Sequence, residues 1–137
     1  MTYTIEFQKH GLPHVHILLW LQNEDKCSLP SDINRIISAE IPDKECDLVG
    51  YKAVIDFMIH GPCGNASPQA PCMIKNKCSK FFPKKYQTET SIDANGFPIY
   101  RRRETLKKNV AIRNRIEMDN KFVVPHNVGL MLSIRLL

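Results

Sequence analysis

No run of apolar residues in this 137-residue chain approaches the roughly 20 needed to cross a bilayer as a helix. Glu6, Lys9 and His10 interrupt what would have to be the apolar stretch of a signal peptide, so an intracellular protein is expected. The phosphate loop Gly-x-x-x-x-Gly-Lys-Ser/Thr is missing, and with it the ATP site that a helicase requires. The tyrosines, Tyr3, Tyr51, Tyr86 and Tyr100, include no pair three residues apart. Five cysteines, an odd number in an intracellular setting, argue against a disulfide framework. No internal repeat or domain boundary stands out. With 43% apolar and 24% charged residues the chain has the composition of an ordinary globular domain rather than a disordered segment.

Acidic residues are scarce in one region. Between Lys75 and Arg115 there are twelve Lys/Arg against three Asp/Glu, a balance of +9, while the rest of the chain carries seven against eleven. A basic block on a slightly acidic body is the footprint of a polyanion binder. Lys80, Lys84, Lys85 and the run Arg101-Arg102-Arg103 are its densest points and the expected DNA contacts. The competing reading is a solvated basic loop.

Thr2 to Gln8 alternates β-forming residues, Gly11-Leu12-Pro13 signals a turn, and His14 to Leu21 becomes fully apolar as a central buried strand would. Ser31 is the expected N-cap of a helix carrying Ile33, Ile36 and Ile37 and ending before Pro42. A second helix is predicted over Leu48–Ile59, with Leu48, Tyr51, Ile55 and Met58 as its core stripe. Asn95-Gly96 predicts a hairpin between 89–92 and 98–103. Asp119-Asn120 is read as the turn of a last hairpin. The apolar tail from Val128 to Leu137 and the abrupt start read as core elements cut from their partners.

Residues two apart on a strand share a face, so His14 and His16 present adjacent imidazoles. Glu6 on the preceding strand is the expected third ligand and Gln8 the fallback, and carboxylate oxygen suits Mg²⁺ or Mn²⁺. The plainer alternative is a pair of hydrogen-bonded histidines on a sheet surface. Further along, His60-x2-Cys63-x8-Cys72-x5-Cys78 places four borderline or soft ligands within an irregular, Gly/Pro/Lys-rich stretch running from about 60 to 83. Structural zinc takes four such ligands and would organise a loop poor in apolar residues. The alternative is a set of unligated thiols, with His60 capping the helix. Phe81, Phe82 and Tyr86 are base-stacking candidates, with core packing favoured for at least one of the two phenylalanines.

Glu-Phe-Gln-Lys-His-Gly-Leu-Pro-His-Val-His-Ile-Leu-Leu at 6–19 resembles the His-hydrophobic-His motif of Helitron replication initiators, members of the HUH endonuclease superfamily. The resemblance continues through 32–44, 57–64 (Phe-Met-Ile-His-Gly-Pro-Cys-Gly), 78–84 (Cys-Ser-Lys-Phe-Phe-Pro-Lys), 98–103 and 122–127, and so covers nearly the whole chain. It implies an α+β fold, a central antiparallel sheet with flanking helices of HUH/ferredoxin-like type, incomplete at both ends. Residues 1–137 would form one partial initiator domain with a Cys/His-rich insertion at about 60–83. It also implies rolling-circle chemistry on single-stranded DNA in the nucleus. A metal on His14, His16 and Glu6 would polarise the scissile phosphate while a tyrosine attacks, leaving a 5′-phosphotyrosine and a free 3′-hydroxyl. The family's paired tyrosines have no counterpart here, and His126 stands where the family usually has tyrosine. No catalytic residue is therefore assigned, and the name "Helitron helicase-like" points to a helicase domain elsewhere in the parent transposase. The expectation is a remnant that binds DNA and metal without cutting. Its rival is a non-catalytic, zinc-stabilised nucleic-acid-binding module, and a third reading is a decayed reading frame that barely folds.

Overall fold

The computed structural model describes residues 1–7 and 13–134, apart from the side chains of residues 13, 14 and 134. Strand β1 (Thr2–Phe7) pairs antiparallel with β2 (Pro13–Leu18), in a register that sets Glu6 opposite His14 and Thr4 opposite His16. Thr2, Thr4 and Glu6 thereby share one face with the histidine positions, and Tyr3, Ile5, Phe7, Val15 and Ile17 share the other. The expected buried central strand is not what forms. Among the described residues β1 and β2 pair only with each other, and Val15, Ile17, Leu18 and Trp20 are all exposed. An apolar strand becomes central only when further strands take up its free edge and face, and none does so here.

Helix α1 (Pro30–Ile36) has Leu29 as its N-cap and so starts two residues earlier than the Ser31 signal suggests. Pro30 supplies the preset φ of a first helical position, and the Asp32 carboxylate accepts from the Leu29 N–H at 3.3 Å. The chain then straightens into β3 (Ile37–Ser38). Helix α2 (Leu48–Phe57) is capped by Asp47, whose Oδ1 accepts from Gly50 N at 2.8 Å. Its buried centre is Ala53 and Val54, with Tyr51, Ile55 and Met58 packed beside them, while Leu48 is exposed. Its C-terminal carbonyls are closed from outside the helix: the Arg113 guanidinium donates to Ile55 O at 2.8 Å, Asp56 O at 3.1 Å and Ile59 O at 3.1 Å.

Short ribbons follow: β4 (Met73–Ile74) with β5 (Lys77–Cys78), then β6 (Ser91–Ile92) with β7 (Pro98–Ile99) around the Asn95-Gly96 turn. In that turn Asp93 Oδ1 accepts from both Asn95 N and Phe97 N at 2.9 Å. Strands β8 (Ala111–Arg113) and β9 (Ile116–Met118) form a hairpin that the sequence reading missed. Asp119-Asn120 is not a hairpin turn; it opens a 3-10 turn over Asn120–Phe122. Finally β10 (His126–Asn127) pairs with β3 and leads into α3 (Val128–Ile134), where Asn127 Oδ1 caps Leu130 N at 2.9 Å.

The architecture is thus a small α+β assembly of antiparallel pairs and three helices, with five two-stranded ribbons among the described residues in place of one central sheet. One core joins α2, the β8–β9 hairpin, Val123 and α3, through Ala53, Val54, Ile59, Ala111, Met118 and Met131. The apolar tail thus seats Met131 in this core. Asn120, itself buried, braces the core from its edge: Oδ1 accepts from Ile41 N at 2.7 Å and Nδ2 donates to Arg103 O at 2.8 Å.

Candidate metal centre

The end of α2 delivers the first ligand. Ile59 is buried and bridges to Val123, and His60 N donates to Phe122 O at 2.8 Å, so the backbone at His60 is pinned to the core. Gly61 then turns the chain with φ +108°, where a Cβ would lie 2.9 Å from Met118 Cε and 3.2 Å from Cys63 N. Only glycine fits both that dihedral and that space. The turn folds the buried Cys63 back toward His60. Lys75 (φ 48°) and Asn76 (φ 63°) make the tight turn between β4 and β5, and Cys72 O accepts from Ser79 N at 2.8 Å, which brings Cys72 and Cys78 together.

His60, Cys63, Cys72 and Cys78 consequently bring one ligand atom each to within 4.8 Å of one another. His60 Nε2 lies 3.3 Å from Cys78 Sγ. Tetrahedral zinc with Zn–S bonds of about 2.3 Å sets sulfurs about 3.8 Å apart, so the cluster closes on an ion by side-chain movements well under an ångström each. Three sulfurs, one imidazole and no carboxylate form a donor set suited to zinc rather than to Mg²⁺ or Mn²⁺. The cluster could therefore hold a metal, and its donor set is compatible with a structural zinc.

The electrostatics differ from one ligand to the next. Burial pulls His60 below its ordinary pKa, and the nearby Lys80 and Lys84 ammonium groups add to this, leaving the imidazole neutral and able to ligate. Burial, followed by hydrogen bonding to Cys78 and Cys72, pushes the Cys63 thiol up to about 12. At Cys78 burial again acts upward, but backbone N–H groups of Phe82 and Lys80 and the adjacent thiols outweigh it, so this thiol lies below its ordinary value. N–H donors aimed at one sulfur stabilise a thiolate there. Phe82 stacks on His60 with ring centroids 4.3 Å apart and planes at 20°, and Lys84 Nζ sits 5.0 Å from the Phe82 centroid. Phe82, expected from the sequence to stack bases or pack in the core, instead lies between His60 and Lys84, a placement that its position four residues after Cys78 does not signal.

The second expected site is placed less fully. Glu6 Oε2 lies 3.9 Å from His16 Nε2, with both side chains about 60% exposed (63% and 61%). Glu6 stands opposite His14 in the register. The side chain of His14 and all of Gln8 lie outside the described residues.

The basic residues part company. Lys80 and Lys85 are exposed. Strand-like alternation sends Arg101 and Arg103 to one side, where both meet Glu40 at 3.4 Å and 2.8 Å, and turns Arg102 inward, where it is 5% exposed. Among the tyrosines, Tyr86 donates to Asp119 Oδ2 at 2.7 Å, which pushes its phenol up to about 12, away from a nucleophile's requirement. Compared with models of known protein families and with curated proteins, the chain finds no match.

Proposed function

We propose that this chain is a zinc-stapled domain that binds single-stranded DNA, of the Helitron replication-initiator type. The convergence of His60, Cys63, Cys72 and Cys78 supports it more than any other observation. A loop of this length with so few buried apolar groups needs a cross-link, and zinc supplies one. The loop carries Lys75, Lys77, Lys80, Lys84 and Lys85, so stapling it also fixes a row of cations. In this reading the domain acts in the nucleus beside a helicase domain of its parent protein, positioning a strand rather than cutting it. The test is metal content and DNA affinity on the same preparation. About one zinc per chain is expected, with oligo-dT binding that weakens steeply as salt rises and falls away on chelation. Metal-free protein in which Cys63, Cys72 and Cys78 are all freely reactive, with unchanged DNA affinity, would refute it.

A second reading adds a divalent-ion site at Glu6, His14 and His16, favoured by the 3.9 Å approach of Glu6 to His16 and by the Glu6–His14 register. Mg²⁺ or Mn²⁺ bound there would polarise a phosphate, the part of the nicking reaction that survives without a nucleophile. Mn²⁺ titration followed by electron paramagnetic resonance decides it. Replacing both histidines with alanine should abolish Mn²⁺ binding and spare zinc; equal Mn²⁺ binding by both proteins rejects the site.

A further inference from the structure

Beside the metal loop, between Phe82 and the segment that follows β7, lies a cleft of about 560 Å³ lined among others by Phe82, Lys84, Lys85, Gln87, Tyr100 and Arg102. Three of its lining side chains are cationic and none is acidic. Arg102 is the unusual member. It is nearly fully buried, and its Nη1 donates to two neutral carbonyls, Asn120 O at 2.7 Å and Val123 O at 2.6 Å. It makes no ion pair with a carboxylate among the described residues; the charge of Glu40 favours it from a distance, but that carboxylate is paired with Arg101 and Arg103. A buried guanidinium costs several kcal/mol unless something offsets its charge. Lys84 faces the same difficulty: burial, then the positive charge of Arg102, lowers its pKa. Two cations held close together against apolar walls, with no acid between them, form an arrangement complementary to an anion.

We propose that this cleft is a phosphate subsite for a single-stranded polynucleotide, with Arg102, Lys84 and Lys85 neutralising one phosphodiester and the apolar walls holding the adjoining sugar. Its uncharged lining is mainly apolar, with Gln87 and Tyr100 as the polar exceptions, a composition suited to holding a backbone rather than a base. The subsite is also tied to the metal centre, because Phe82 lines the cleft and stacks on His60.

The proposal rests on the nucleic-acid reading above, and the experiment separates the two. Fluorescence anisotropy is measured on the zinc-loaded protein with oligo-dT, with an abasic oligomer of equal length, and with inorganic phosphate and a phosphoserine peptide as competitors. Lys84→Gln/Lys85→Gln is compared with Lys75→Gln/Lys77→Gln, which removes the same charge from the same loop outside the cleft. The cleft variant should weaken both oligomers in equal proportion and make the salt slope shallower by up to about 0.7, the value for one lost single-strand phosphate contact. The control should change it less. Arg102→Met tests the third cation, with thermal melting to report whether its two carbonyl contacts were needed for folding. If oligo-dT binds but the control variant suffers as much as the cleft variant, or the abasic oligomer fails to bind, the subsite is refuted and the DNA-binding reading survives. If neither oligomer binds, or only the phosphopeptide does, both fall.

Discussion

Removing the metal from the His60–Cys78 loop should lower the melting temperature by an amount that mass action sets. Between residues 60 and 83 the buried side chains are those of Cys63 and Cys78, so apolar packing cannot hold this segment alone. The loop is nevertheless joined to the core, through His60 N on Phe122 O and through Gly61 seated under Met118, so the two melt together. With free zinc buffered at about 1,000 times Kd, binding to the folded form contributes about 4.1 kcal/mol. For a chain of this size each kcal/mol moves the midpoint by about 4 °C, which gives a fall of about 16 °C on chelation. Differential scanning calorimetry in zinc-buffered and chelator-treated samples measures it. Cys78→Ser should abolish the difference and weaken zinc binding by more than about 100-fold, since loss of a mere outer-shell partner already costs 10- to 100-fold. Cys46→Ser, at an exposed cysteine outside the cluster, should leave it intact. Identical melts with and without metal would refute the argument.

Two further outcomes follow from the packing. Burial alone would raise the Glu40 carboxyl, but the side-chain and backbone hydrogen bonds from Arg103 and the charges of Arg103 and Arg101 outweigh it, and its pKa lies below the ordinary 4.5. The stabilisation it brings is therefore present above that value and lost as pH falls through the lower folded value. Glu40→Gln should cost about 1–3 kcal/mol at neutral pH by urea denaturation, and the gap should close in acid below pH 4.5; a gap that persists there would contradict the assignment. Met118 is fully buried at the junction of core and metal loop, so Met118→Ala should cost about 2–5 kcal/mol in the same assay.

Much of the local structure was legible in the sequence. The first hairpin, both early helices, the Asn95-Gly96 turn and the gathering of His60, Cys63, Cys72 and Cys78 all announce themselves through period, cap or spacing. What stayed hidden depended on distant partners. The β8–β9 hairpin turns on Asn114 and Arg115, at φ 50° and 65°, with no glycine to mark it. Asn120 reads as a turn residue but is the brace between three separate segments, a role that only tertiary placement creates. Arg101-Arg102-Arg103 reads as one basic cluster, and the backbone splits it into two surface partners of Glu40 and a buried cation. Of the stripe expected on α2, Tyr51, Ile55 and Met58 do pack against the core, but Leu48 is exposed and the buried centre is Ala53 and Val54.

The closure of α2 by Arg113 carries a consequence for how the protein matures. The carbonyls of Ile55, Asp56 and Ile59 are gathered by a side chain encoded more than fifty positions later. During synthesis from the N-terminus, His60 and all three cysteine ligands emerge well before the residue that sets the exit direction of the helix. The ribosome therefore exposes a complete set of thiols on a segment that has no fixed starting point. Until Arg113 arrives, these thiols are open to oxidation as well as to any metal within reach.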